Sequence, residues 1–476
     1  MSIRDAYESL DAIGLAEAVR RGDVKPAELL EVAIARAEQV NPAVNAIPIA
    51  MYEQARREVQ RGVAQGPFHG VPFLLKDLHL LYTGARTTYG SRLFADHVAD
   101  HDSELTARYR RAGLVVFGKS ASPEFGITTS TESALFGATR NPWNLAHTAG
   151  GSSGGAAAAV AAGIVPAAHA SDGGGSIRIP AACCGVFGLK PTRARTPMGP
   201  DAGEGWSGMS VNHVVSRSVR DSAALLDATH GPAPGDPYHA PAPARPFLAE
   251  VGADPGRLRI ALQTQTWNGT ETDPECAAAA RAAAKLCEDL GHHVEAATLS
   301  IDAQAFARAS QVIIAGNLRA KVFDRAAALG RELSDDDLEP VTRMMVDMAA
   351  GAGADDYARA IQTIHALGRR LEGFLAGYDV ILTPTLAVPP VEIGRLSLRN
   401  PDRPGFMATL GRTIGYTQLF NATGNPAASL PLAWSASGLP IGVQIGGRFG
   451  DEATLLRLAS QLEQAAPWRD RRPPLP

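Results

Sequence analysis

Cysteine is scarce here. Four occur in 476 residues, Cys183 and Cys184 side by side and Cys276 and Cys287 within an Ala-rich helical stretch. That is too few for a disulfide framework, and burial as small hydrophobes is the expectation. Long apolar runs are missing as well. The longest, Ala156–Ala168, has about a dozen residues broken by Gly163 and Pro166, too short to cross a bilayer. The Met1 end lacks the basic-then-apolar pattern of a secretory signal. Nor does one sign of charge dominate: 45 Lys and Arg against 49 Asp and Glu give a net charge of −4. The two signs are intermixed, which excludes a nucleic acid or membrane surface as partner. The 12 histidines fall in no H-E-x-x-H spacing, and no G-x-x-x-x-G-K-[ST] loop exists, so neither metal nor nucleotide cofactor is expected. The expectation is a soluble cytoplasmic protein, for which a homodimer would be ordinary.

What is present is ample material for a core, since 45% of the residues are hydrophobic. Residues 1–60 read as a helical segment packed on the outside, with Pro26 opening a helix that Asn41-Pro42 closes. From Gly66 short apolar runs alternate with helical spacing. Val71–Leu75, Leu114–Phe117, Leu258–Leu262, His293–Ala297, Val380–Pro384, Ala427–Leu432 and Ile441–Ile445 read as strands. Ser103–Ala112, Ala156–Ala162, Arg217–Asp227, Asp273–Leu290, much of Ala305–Leu375 and Glu452–Ala465 read as helices. Such interleaving predicts an α/β fold: a single large domain over 1–476 with a mixed central sheet covered by helices on both faces. Its catalytic core would span 61–466, and the Pro- and Arg-rich tail 467–476 would trail over the surface.

The informative stretch runs from Gly150 to Pro191. It holds two small-residue loops, Gly150-Gly151-Ser152-Ser153-Gly154-Gly155 and Gly173-Gly174-Gly175-Ser176, joined by an Ala-rich run. Glycine allows positive φ and close approach to the main chain. Successive N–H groups can then face one concavity and hold a developing negative charge. A flexible Gly/Ser linker would be flanked by polar sequence, whereas Ala, Val, Ile and Pro flank this one. Two glycine-set serines therefore suggest a site.

At these residues the chain resembles the amidase signature family, whose pattern is a GGSSGG loop, an apolar helix, then T-D-x-G-G-S-I-R-x-P running on to G-L-K-P. Here the second part is Ser171-Asp172-Gly173-Gly174-Gly175-Ser176-Ile177-Arg178-Ile179-Pro180, followed by Gly188-Leu189-Lys190-Pro191. The family's G-V-P-x-x-x-K-D segment is matched by Gly70–Asp77. The resemblance implies an amidase: Ser176 as nucleophile, Ser152 as a bridging serine after a cis peptide bond, and Lys76 as base. It also implies an oxyanion hole from the N–H groups of Gly173, Gly174, Gly175 and Ser176. Ser153, Asp172 and Arg178 take supporting roles, the last two as a bracing pair. Two departures, Ser171 for Thr and Gly173 for a bulkier residue, could loosen the loop. Gly137–Asn144, Leu382–Thr385, Asn421–Ala427 and Gly438–Gln444 extend the likeness over nearly the whole chain. Asp100-His101-Asp102, Ala138–Leu145 and Asp273–Ala280 are similar to bacterial amidases of the 6-aminohexanoate cyclic-dimer hydrolase type.

A lysine serves as base only when neutral, so its pKa must fall roughly two to three units from about 10.4. The apolar approach Val71-Pro72-Phe73-Leu74-Leu75 points to the burial that does this. Asp77, next along a strand, would face the opposite side. The substrate implied is a small non-peptide amide with apolar or aryl parts, a lactam oligomer or a carbamate. Two alternatives stand. One is the glutaminase subunit of a tRNA-dependent amidotransferase, which shares the site residues but needs a polar pocket for a free amino acid. The other reads Gly151-Ser152-Ser153-Gly154-Gly155 as an α/β-hydrolase elbow with Ser153 as nucleophile. That reading needs a late histidine such as His293 or His365, and a strand before the serine where Asn141–Thr148 looks turn-like. Pocket walls are expected around Phe125–Thr131, Trp206, Ala305–Met348 and Thr413–Phe420.

Overall fold

Residue alternation explains the architecture best. In the strand Val380–Pro384, Val380 and Leu382 join one apolar cluster with Ile260, Cys276, Ala280 and Leu455, while Ile381 joins another with Ala261, Ile364, Leu371 and Phe420. A strand buried on both faces needs helices on both faces. The computed structural model describes residues 3–475.

In chain order the strands that position the site are β1 (Ile49–Ala50), β2 (Pro72–Lys76), β3 (Val115–Ser120), β4 (Ala167–Asp172), β5 (Phe187–Lys190) and β6 (Val211–Ser216). Then come β7 (Arg259–Leu262), β8 (His293–Ala296), β9 (Val380–Pro384), β10 (Ala427–Trp434) and β11 (Pro440–Gly447). Eight of them form the central sheet in the order β8-β7-β9-β11-β10-β5-β6-β4. β7 pairs in parallel with both β8 and β9, and the other pairings are antiparallel, so the sheet is mixed. A second small sheet, β1-β3-β2, carries β2 parallel to β3. β2 packs beside β4, and there the Lys76 N–H donates to the imidazole Nδ1 of His169 at 3.2 Å. That contact joins the small sheet to the edge of the large one.

The helices used below are α1 (Pro26–Val44), α2 (Gly154–Ala161), α3 (Arg178–Cys184), α4 (Ala303–Ala328), α5 (Pro340–Met348), α6 (Ala354–Leu375), α7 (Arg403–Ile414) and α8 (Gln418–Thr423). The helical reading of 305–375 resolves into α4, α5 and α6. All four cysteines are buried and free, as expected of small hydrophobes. No described helix is long and apolar enough to cross a membrane.

Three local expectations change. α1 runs through Pro42 to Val44 and closes where Asn45, at φ 51°, donates its N–H to the Asn41 carbonyl at 2.7 Å. Pro42 sits exposed in the last turn, where the single hydrogen bond it removes can be replaced by solvent. The Asn141–Thr148 stretch forms a hairpin, Arg140–Asn141 against Asn144–Thr148. The tail is pinned at its start: Trp468 is buried, and its indole N–H donates to the Arg217 carbonyl at 2.9 Å.

Candidate active site

Lys76 ends β2 with every residue of that strand buried, and it is itself 0% exposed. Its Nζ lies 2.7 Å from Ser152 Oγ, 2.9 Å from Ser153 Oγ and 3.0 Å from Ser171 Oγ. Burial lowers its pKa well below the usual lysine range, although the charge of Asp172 acts the other way. Three hydroxyls and no directly paired carboxylate surround it, so the neutral amine is the form this pocket accepts. His169 is likewise held neutral, by burial first and then by Lys76. It accepts from the Lys76 N–H and contacts Asn212 Oδ1 at 3.2 Å through Nε2. Period-two alternation along β4 puts His169 and Ser171 on one face, toward Lys76. Ser171, noted in the sequence only as a departure, is thus part of the lysine's shell, and strand alternation was the signal for it.

The first glycine loop precedes α2. The Gly151–Ser152 peptide is cis, as the resemblance implied. Ser153 Oγ donates to the Ser171 carbonyl at 3.2 Å and receives the Ser171 N–H at 3.3 Å. Ser153 is therefore tied into the β4 edge. The histidines an elbow mechanism would need lie elsewhere: His293 is exposed on β8, an edge of the central sheet, and His365 is exposed on α6. The elbow reading loses its base.

The second loop links β4 to α3 and is braced from within and from the C-terminal half. Asp172 accepts the Gly175 N–H at 2.7 Å and the Ile177 N–H at 3.1 Å, and pairs with Arg178 at 3.0 Å with both side chains fully buried. Burial alone would raise the Asp172 carboxyl, but Arg178 holds it well below the usual carboxylate range. Arg178 also donates to the Thr417 carbonyl, Gln444 Oε1 and Asn421 Oδ1 at 2.9, 2.7 and 2.7 Å. Thr417 Oγ1 donates to the Gly174 carbonyl at 2.7 Å. Gly175 has φ 128°, and a Cβ there would collide with the Thr417 hydroxyl. At Gly173 a Cβ would stand 2.7 Å from the ring of Trp206. The missing bulk at 173 does not loosen the loop: the Trp206 indole occupies that space.

Ser176, 9% exposed, opens onto a cavity of about 300 Å³. Each stretch expected to form its walls contributes: Gly126–Thr129, Trp206, Ala307–Ile314, Val341–Met348, Ile414 and Gln418. Phe406, Met407 and Leu410 on α7 complete it and were missed, because nothing in their spacing separates a pocket wall from a core face. Four of the 8 methionines line it, namely Met344, Met345, Met348 and Met407, and no charged side chain does.

Residues 28–456 match the protein-family model described as Amidase. The chain belongs to the amidase family. It is 41% identical to the 6-aminohexanoate-cyclic-dimer hydrolase of Paenarthrobacter ureafaciens over 98% of this chain and 96% of that one. The crystal structure of a 6-aminohexanoate cyclic dimer hydrolase complexed with substrate superimposes with a TM-score of 0.94 at 40% identity, covering 98% of this chain and 99% of that one. A bacterial aryl acylamidase of the amidase signature family follows at 0.87 and 28%, with 97% of each chain covered. This amidase is accordingly a hydrolase of amide C–N bonds, with the single-domain α/β fold of its family.

Proposed function

We propose that this amidase cleaves neutral, apolar or aryl amides through a serine acyl-enzyme, with Ser176 as nucleophile and Lys76 as base acting through Ser152. The observation that carries this is the fully buried amine 2.7 Å from Ser152 Oγ. A neutral amine has two N–H groups and one lone pair. Ser153 has its own O–H on the Ser171 carbonyl, so its oxygen receives one lysine N–H. If Ser171 Oγ receives the second, the lone pair is left for the O–H of Ser152, the shortest of the three contacts. Ser176 Oγ then attacks the carbonyl carbon as its proton passes to Ser152 and that of Ser152 to Lys76. Collapse breaks the C–N bond, and the departing nitrogen takes a proton back from Ser152 while Lys76 reprotonates it. Water repeats the sequence on the ester and frees the acid.

The N–H groups of Gly173, Gly174 and Ser176 are the donors we assign to the oxyanion. Gly175 was expected among them, but its N–H is engaged by Asp172 at 2.7 Å and serves the loop instead. Asp172 and Arg178, paired within the loop, support it in this reading.

The uncharged, methionine-rich cavity favours substrates without a free amino or carboxyl group, and this weighs against the glutaminase reading. Likeness to the cyclic-dimer hydrolase supports lactam-type oligomers as a substrate class, and carbamates of similar shape fit the same chemistry. Four free, buried cysteines suit a reducing compartment, which supports the cytoplasm as its location. The test is a panel of aryl amides, aliphatic amides, a cyclic bis-lactam, carbamates and glutamine. Neutral amides should be turned over and glutamine left intact; turnover of glutamine alone would overturn the assignment.

A further inference from the structure

The polar groups lining the cavity differ in one respect that bears on substrate choice. Thr128 Oγ1 donates to the Leu396 carbonyl at 2.9 Å, and Thr129 Oγ1 pairs with Thr413 Oγ1 at 2.8 Å. Ser310 Oγ is buried in the wall without a hydrogen-bond partner, a lone hydroxyl and not a paired donor and acceptor. Gln311 Nε2 points to the Met348 sulfur at 3.8 Å. Gln418, the first residue of α8, is half-buried, lines the cavity with Ser176, and its carboxamide makes no hydrogen bond among the described residues. It sits next to the second glycine loop. Thr417 before it is hydrogen-bonded to the Gly174 carbonyl, and a Cβ built on Gly174 would touch Gln418 Cγ at 3.9 Å. A carboxamide with neither its oxygen nor its nitrogen engaged therefore stands beside the loop that carries the proposed nucleophile.

A carboxamide offers a carbonyl acceptor and two N–H donors in one plane. A neutral group that answers both at once is another amide, whose N–H meets Oε1 and whose C=O meets Nε2. Apolar walls around it suit a methylene or aryl body. An uncharged site with few polar groups gains specificity from such a pair, because a substrate lacking the matching group leaves the carboxamide unpaired and desolvated. Resting on the amidase reading above, we infer that Gln418 is a specificity-determining residue that binds a second, unreacting amide of the substrate, so that the preferred substrates are neutral bis-amides.

The test compares two ligands of one ring size: a cyclic bis-lactam, and the ring in which the second amide is replaced by two methylenes. With Gln418→Met, similar in length and without the donor–acceptor pair, kcat/KM for the bis-lactam should fall about tenfold, mainly through KM, while the mono-lactam changes less than about twofold. Gln418→Glu keeps the acceptor, loses the donors and adds charge, and should discriminate against the bis-lactam at least as strongly. Equal losses on both rings, or none on either, would overturn the role of Gln418. Binding to Ser176→Ala and to Ser176→Ala/Gln418→Met, measured by calorimetry, separates this inference from the amidase reading. A bis-lactam that binds Ser176→Ala about tenfold more tightly than the double variant upholds Gln418, even if the wild-type enzyme does not cleave it. Equal affinities would refute it, whatever the turnover.

Discussion

Lys76 and Asp77 are adjacent in the chain and point to different environments. The lysine amine meets three serine hydroxyls, while the Asp77 carboxylate accepts from the Thr88 N–H at 2.7 Å and from the Thr88 hydroxyl. A carboxylate against the amine would hold the proton that the base must lack. Opposite side-chain directions at the end of β2 keep the two apart, and that separation underlies the expectations that follow.

Replacing Ser176 by Ala should lower kcat by ~1000-fold or more while leaving the melting temperature nearly unchanged, since Ser176 lies at the cavity wall and is not a core residue. A serine-directed covalent inhibitor should label a peptide containing Ser176. Label on Ser153 would reinstate the elbow alternative.

Lys76→Met should cost about 100-fold or more in kcat/KM and remove the acidic limb of the pH–rate profile, along which activity rises as the lysine loses its proton. The same variant has a stability signature. The folded-state pKa of Lys76 lies below the unfolded value, so the unfolded chain binds more protons between the two. Wild-type stability therefore falls as pH falls from the unfolded pKa through the folded one. The stability advantage of Lys76→Met should grow in that direction, and a gap that does not change with pH would contradict a depressed lysine pKa.

Removing one partner of the Asp172–Arg178 pair strands a charge where both side chains are fully buried. Asp172→Asn or Arg178→Leu should destabilise the fold by ~3–5 kcal/mol in denaturant unfolding and abolish activity. A variant that keeps near-wild-type stability would show that the pair is not the brace.

Gly173→Val should push against the Trp206 ring and reduce activity by about tenfold or more, while Trp206→Ala should be milder alone. Combining them should recover much of the loss, because the smaller residue frees the space the larger one takes. If the double variant is as poor as the product of the two singles, the residues do not share that space.

Much of the site was legible because its chemistry is concentrated in short segments: two glycine-set serines and one lysine at the end of an apolar strand. Strands such as Val380–Pro384 were legible because continuous apolar runs mark burial on both faces. β6 escaped notice because Asn212 and His213 interrupt its apolar pattern. Both are buried, Asn212 against His169 and His213 Nε2 against Ser222 Oγ at 2.9 Å. Those partners lie on other elements, 43 residues away for Asn212 and nine for His213, and the period of a single strand does not reveal such pairing. The effect of Gly173 was misjudged for the same reason, since its compensation comes from Trp206.

Arg178 is gripped by Thr417, Asn421 and Gln444, residues 239 to 266 positions further along the chain. Lys76, Ser152 and Ser176 all precede those three residues, so the clamp on the second glycine loop is supplied from a distant part of the chain. Gln444 lies on β11, which sits between β9 and β10, so the grip on Arg178 is complete only when the central sheet is complete. The integrity of the glycine loop is thereby tied to the integrity of the sheet as a whole.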